Sequence, residues 1–172
     1  MTTATQQAPT TVVASGVRDY LVKCLEDEFK TTTRVLENVK PGEWRPDPKT
    51  RTAAEIAWHI VHSDIWFLES VVAGEFNPAT AAEGSSPGGM PEIIRYYQEH
   101  FTKGIADVKK MSGEDLAKAV DFFGMKQPMF EALGFALVHS VHHRAQLSTY
   151  LRPNGGKVPS IYGGSADEPW QG

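Results

Sequence analysis

Three of the six histidines fall within five residues, in His139-Ser140-Val141-His142-His143. Imidazole binds divalent transition metals as a neutral ligand and is also the side chain that exchanges protons most readily near neutral pH. On a helix, residues four apart lie within about 40° of each other, so His139 and His143 share a face with Ala132, Phe135, Ala136, Gln146 and Tyr150. His142 lies about 60° to the other side of His139, which leaves an i,i+3 pair open as well. A second segment, Trp58-His59-Ile60-Val61-His62, adds two more imidazoles. His59 shares its stripe with Thr52, Ile56, Ser63, Trp66 and Ser70, whose small and semi-polar members leave room beside a ring. Two histidines on one helix and one on a facing helix supply three nitrogen ligands, the pattern of a catalytic zinc-type site with a fourth position for water or substrate. An isolated inward histidine is ordinarily a hydrogen-bonded core residue. A buried i,i+4 pair differs, because two adjacent imidazoles need partners to offset desolvation. Spacing alone leaves both readings open.

Other familiar chemistry is missing from the chain. Ser140 follows His139, so there is no His-Glu-x-x-His and no general base of that kind. No Gly-x-Ser-x-Gly elbow occurs, and Gly155-Gly156-Lys157 lacks the remaining residues of a phosphate loop. Candidate general bases are His62, Glu55 and Asp64, each with a solvent-facing or capping role as the alternative. His100 falls on the polar side of its segment and is expected to face solvent. Cys24 reads as a small buried hydrophobe.

The elements that must carry these residues are four helices separated by Pro and Gly. The first is expected from about Val17 to Val39, with Leu21, Leu25, Phe29, Val35 and Leu36 at helical spacing, ended by Pro41-Gly42. Trp44-Arg45-Pro46-Asp47-Pro48 must be extended, since residues before proline leave the helical region, and Trp44 is expected to pin this segment. Thr52-Ala53-Ala54-Glu55 is a capping box opening the second helix, which continues to about Ala73. A Gly, Ala, Ser and Pro loop from Gly74 to Gly89 is long for a compact bundle and so either crosses it or carries function. The third helix spans about Pro91 to Met111, and Ser112-Gly113-Glu114-Asp115 can cap a short turn. The fourth spans about Pro128 to Leu151 and stops at Pro153-Asn154-Gly155-Gly156. Ile161 and Tyr162, beyond it, are expected to fold over the site mouth. No strand-like alternation is evident, so the expectation is all-α, a four-helix bundle with a long helix 2–helix 3 connection.

Composition bounds the function. At 172 residues the chain has the length of one domain, and 17 Lys+Arg against 21 Asp+Glu give a net charge of −4. That balance argues against a nucleic-acid partner, which calls for a basic surface. One cysteine excludes an internal disulfide framework. No stretch approaches the roughly 20 apolar residues of a membrane span, and residues 1–15 lack the basic and apolar regions of a secretory signal. These features lead to an expectation of a mobile tail over residues 1–15, a single domain over 16–172, no membrane partner and a cytoplasmic location.

Three stretches resemble the DinB-like, or DinB/YfiT, superfamily of metalloenzymes. Trp44-Arg45-Pro46, followed by Ala57-Trp58-His59-Ile60, is similar to that family's first metal-ligand segment. His139-Ser140-Val141-His142-His143-Arg144-Ala145-Gln146-Leu147 resembles its hallmark, a His-x-x-x-His pair running into Arg-x-Gln. Arg152 and then Val158-Pro159-Ser160-Ile161-Tyr162-Gly163 are similar to the tail that follows. The resemblance implies that His59, His139 and His143 are the ligands of one divalent metal, choosing His143 over His142. It also implies a bundle of unusual connectivity, a homodimer, and either metal-dependent hydrolysis or thiol S-transfer on a small-molecule substrate with a low-molecular-weight thiol cofactor. A non-catalytic metal-binding bundle with a structural or sensing role is the alternative. Imidazole suits zinc, nickel, copper and iron alike, with zinc the first expectation here and nickel the second. Arg144 and Gln146 are read as structural or as supports for a ligand histidine.

Overall fold

The computed structural model describes residues 4–170. Its elements are helices α1 (Ala4–Glu37), α2 (Ala53–Ala73), α3 (Met90–Val108) and the short α4 (Gly113–Ala117), strands β1 (Ala119–Phe122) and β2 (Met125–Pro128), and helix α5 (Met129–Leu151). Among the described residues the fold is all-α apart from one small hairpin. Helix α2 packs on α3 and α5, and α1 packs on α5, α3 and α4. Val35, Leu36, Ile56, Ile60, Val61, Tyr97, Leu133, Leu147 and Leu151 line the fully buried interior between them. Among the described residues no helix is long and apolar enough to cross a membrane.

Local chemistry explains most boundaries. Thr52 accepts from Glu55 N while the Glu55 carboxylate accepts from Thr52 N at 2.6 Å, the reciprocal box expected at the start of α2. Ser112 and Asp115 do the same for α4. Gly74, at φ 78°, closes α2 in the left-handed region, where its lack of a Cβ removes the steric cost. Trp44 pins its extended segment as expected, its ring 5.4 Å from Tyr150 and edge-on.

Two elements differ from expectation. Helix α1 begins at Ala4 and not near Val17, so it runs through most of the stretch expected to be a mobile tail; residues 1–3 lie outside the described residues. Packing outweighs the weak helix propensity of this Thr- and Val-rich stretch. Ala14 is fully buried, and a Cβ at Gly113 of α4 would overlap Thr11 O and Ser15 Oγ. The second difference is the hairpin, which pairs Ala119 with Pro128 through Phe122 with Met125. Four-residue strands are too short to announce themselves by alternation. Its two-residue turn, Phe123-Gly124, has φ of 53° and 85°, as a type I′ turn demands.

A buried polar chain ties the helices together. Asp64 of α2 accepts from Tyr97 Oη of α3 at 2.6 Å and from Ser140 Oγ of α5 at 2.9 Å, both on Oδ2. Its Oδ1 is buried without a hydrogen-bond partner among the described residues. Burial pushes the Asp64 carboxyl up to about 7, against the lowering effect of its two hydrogen bonds and of Arg144. A pKa raised in the folded state means the native protein binds the extra proton, so this contribution is complete below about pH 4 and is lost as pH rises through 7. Between pH 5 and pH 8 the loss amounts to roughly 3 kcal/mol. Burial holds His59, His139 and His143 below their ordinary value, which acts with the opposite sign. The measurement is therefore the difference between wild type and Asp64→Asn in urea unfolding. Wild type is expected to lose roughly 3 kcal/mol relative to the variant from pH 5 to pH 8; parallel profiles would contradict it.

Candidate metal centre

Helices α2 and α5 bring His59, His139 and His143 together. One ligand atom from each lies within 4.8 Å of the other two, so the three could hold a metal ion, and among the described residues no other His, Cys, Asp or Glu joins the group. The rings form a compact set, with centroids 4.2 Å apart for His59 and His143, 4.4 Å for His139 and His143, and 5.2 Å for His59 and His139. Each histidine is half-buried.

The tautomers follow from the hydrogen bonds. His59 Nδ1 lies 2.5 Å from Glu83 Oε1. An ionised carboxylate only accepts, so Nδ1 carries the proton and Nε2 the lone pair. His143 Nδ1 lies 3.1 Å from Gln146 Oε1. An amide oxygen also only accepts, so His143 Nε2 is likewise a lone pair. Those two Nε2 atoms face each other at 3.1 Å. Two lone pairs at that distance repel unless a proton or a cation sits between them. Nitrogens bound to one tetrahedral zinc at about 2.0–2.1 Å would lie about 3.3 Å apart, close to the spacing here. His139 contributes a further orphan: its Nδ1 is buried with no hydrogen-bond partner among the described residues. The donor set fits a divalent ion.

Electrostatics keep the imidazoles neutral. Burial, then the neighbouring His143 and His59 rings, push His139 down to about 4. Burial also lowers His59 against the raising effect of Glu83, and lowers His143 against that of Gln146. Neutral imidazole is the metal-binding form, so a cation need displace few protons.

Glu83 comes from the long loop between α2 and α3 and was not singled out from the sequence. A signal was present, since Glu83 is the one charged residue between Glu75 and Glu92. Burial raises its carboxyl, but hydrogen bonds from His59 and from Arg51, at 2.9 Å, outweigh that and hold it below the ordinary value. The loop is fastened to α2 on both sides of it: Trp58 Nε1 donates to Gly84 O at 2.8 Å and Trp66 Nε1 to Thr80 Oγ1 at 2.9 Å. A carboxylate on the remote nitrogen of a ligand histidine orients the ring and raises its basicity, and its loss typically costs 10–100-fold in metal affinity. Glu83→Gln is expected to weaken zinc binding by about that factor in a calorimetric titration, with helical content unchanged. An unaltered affinity would leave Glu83 a loop fastener only.

The remaining candidates are placed elsewhere. His142 is exposed, its ring edge-on to His143 at 4.8 Å. His62 packs near Trp58 and faces a separate cleft of about 280 Å³ with Glu69 and Tyr96. Glu55 is occupied by the capping box, and Asp64 by the buried chain. His100 is half-buried against Tyr96, with ring centroids 4.0 Å apart, and not fully in solvent as expected. Cys24 is also only half-buried. Among the described residues the Arg144 guanidinium meets Glu28 and Tyr162 and none of the three histidines. Tyr162 is therefore seated on Glu28 of α1 and on Arg144.

A model of the DinB family matches residues 10–171. The chain belongs to the DinB family. Its relatives include the uncharacterized protein YrdA of Bacillus subtilis, 27% identical over 155 residues that cover 88% of this chain and 91% of YrdA. The uncharacterized protein YjoA of the same organism is 24% identical over 72% of this chain and 82% of its own length. The fold agrees with two crystal structures. A DinB-like protein from Bacillus cereus superposes with a TM-score of 0.69 at 25% identity, covering 83% of this chain and 95% of the other. YjoA superposes at 0.67 and 21%, covering 80% and 94%. Among these DinB relatives the all-α architecture is thus a shared frame.

Proposed function

We propose that this DinB protein binds one divalent metal through His59, His139 and His143, and uses the remaining coordination position to engage a small molecule, as a hydrolase or a thiol S-transferase. The observation that carries the reading is the pair of opposed Nε2 lone pairs, each fixed by a partner on its Nδ1, with no fourth His, Cys, Asp or Glu in the group among the described residues. When bound, such a metal supplies Lewis acidity, lowering the pKa of water toward about 7 or ionising a thiol. The protein's part is to hold the rings. Glu83 and Gln146 set the tautomers, Arg51 and Glu83 anchor the loop beside His59, and Phe67 packs against His139 at 5.2 Å to limit water on that side. Among the described residues, Glu83 is already engaged by His59 and Arg51, and His142 stands exposed beside His143, which favours chemistry in which the nucleophile is activated by the metal itself.

The test is an exchangeable position. Cobalt-substituted protein is expected to change its visible spectrum on addition of azide or a small thiol. A stoichiometrically loaded protein that responds to neither would support a purely structural metal and defeat the enzymatic reading.

A further inference from the structure

A chain of aromatic rings leads away from the histidines toward solvent. His139 lies 5.2 Å from Phe67 and 6.1 Å from Phe135, and Phe67 and Phe135 lie 5.6 Å apart. Phe122 of the hairpin continues the contact, 5.1 Å from Phe135, and Phe123 follows at 4.9 Å from Phe122 and 6.1 Å from Trp66. Phe67 and Phe122 are buried, whereas Phe135, beside His139, is 44% exposed and Phe123, at the far end, 56%. The buried core of this cluster is Trp66, Phe67, Phe122, Ala132 and Ala136.

Phe123 is where folding alone gives no account of the residue. It holds φ at 53°, a left-handed conformation, in the first central position of a two-residue turn. Asn, Asp or Gly satisfies that position at lower cost, whereas a bulky side chain there is an outlier. The ring is not repaid by burial, since more than half of it faces water. Strain kept at one residue that connects to His139 through the rings of Phe122 and Phe135 points to use of that residue. Flat apolar groups stack or pack edge-on against such rings, and exposed rings gain the most by being covered.

We infer that the exposed rings of Phe135 and Phe123, continuous with His139, form the wall against which the aromatic or otherwise flat apolar body of a ligand rests while its polar head occupies the histidine site. The inference builds on the reading of His59, His139 and His143 as metal ligands, and it narrows the substrate class to small molecules with an apolar body next to a metal-binding head. A small ligand is favoured over a second copy of the chain because the ring run starts at a histidine of the site.

The test uses two thiols with the same head: benzyl mercaptan and 2-mercaptoethanol, titrated into cobalt-loaded protein and read from the absorption spectrum. Wild type should bind benzyl mercaptan at least tenfold tighter. Phe123→Asn and Phe135→Ser should each reduce that preference at least threefold with cobalt stoichiometry unchanged. Because Asn suits the turn, Phe123→Asn should also hold or raise the thermal midpoint, which a merely structural phenylalanine would not allow. Equal affinity for both thiols on fully loaded protein overturns the inference and leaves the metal reading intact. An unchanged preference in both variants overturns it too, and a shift in sedimentation without a change in preference assigns the rings to contact between copies. Failure to load cobalt at all defeats the metal reading first, and this inference with it.

Discussion

His143→Ala protein is expected to bind no stoichiometric zinc or nickel, while His142→Ala binds as wild type does. The two residues are neighbours in sequence but not in role. His143 directs Nε2 at His59 Nε2 from 3.1 Å and is held there by Gln146, whereas His142 stands exposed on the next side of α5. Apparent binding free energies of about 10–16 kcal/mol for four-ligand zinc sites divide to about 3 kcal/mol per ligand, so a lost imidazole lowers affinity about a hundredfold. With only three protein ligands available, the residual pair cannot hold the ion against dialysis. Metal content after equilibrium dialysis is the measurement. The reverse pattern, with His142→Ala metal-free and His143→Ala loaded, would place the site on the wrong histidine.

Arg144→Met is expected to be the most destabilising single substitution among those considered. The Arg144 side chain is 2% exposed and pairs with Glu28, itself 17% exposed. Its second nitrogen donates to Tyr162 Oη at 2.5 Å, and Tyr162 in turn donates to Glu28 Oε1 at 2.7 Å. The three residues close a triangle between α5, α1 and the C-terminal segment. A buried pair of this kind is a weak net stabiliser, because desolvating both charges costs nearly what their attraction returns. Breaking it is another matter: the carboxylate stays behind without its counter-charge, and the cost is about 3–5 kcal/mol. For a chain of this size that lowers the thermal midpoint by about 10 °C. Removing both charges in Arg144→Met/Glu28→Leu should recover a large part of the loss, as a double-mutant cycle would show. A loss below about 1 kcal/mol would mean that water reaches the pair and screens it. Below its melting point, Arg144→Met should still bind metal, since none of the guanidinium's hydrogen bonds reaches an imidazole.

What could be read from sequence divides along physical lines. Signals confined to one turn of chain were legible: the Thr52–Glu55 box, the Ser112–Asp115 box and the stop at Pro153. That His139 and His143 share one stripe was legible as well, because helical spacing fixes which side chains lie on one face; their grouping with His59 was implied only by the resemblance to the DinB family. Which of two adjacent histidines would point at the partner helix was not, since a stripe is wide enough to admit either. Glu83 escaped for a different reason. A loop has no periodicity, and its carboxylate is placed by tryptophans on another element, Trp58 and Trp66. The start of α1 escaped because Ala14 is buried by α4, nearly a hundred residues later. The hairpin at Phe123 escaped because its turn lacks the Asn-Gly that usually announces one.

The opposed nitrogens of His59 and His143 are 84 positions apart in the chain. An ion shared between them is therefore a reversible staple across a long loop, comparable to a disulfide that a chelator can open. Because the unfolded chain cannot present these nitrogens together, every tenfold rise in free metal above the dissociation constant adds about 1.4 kcal/mol to stability. The melting temperature should then serve as a gauge of metal supply, climbing with the logarithm of its concentration whatever reaction the protein performs.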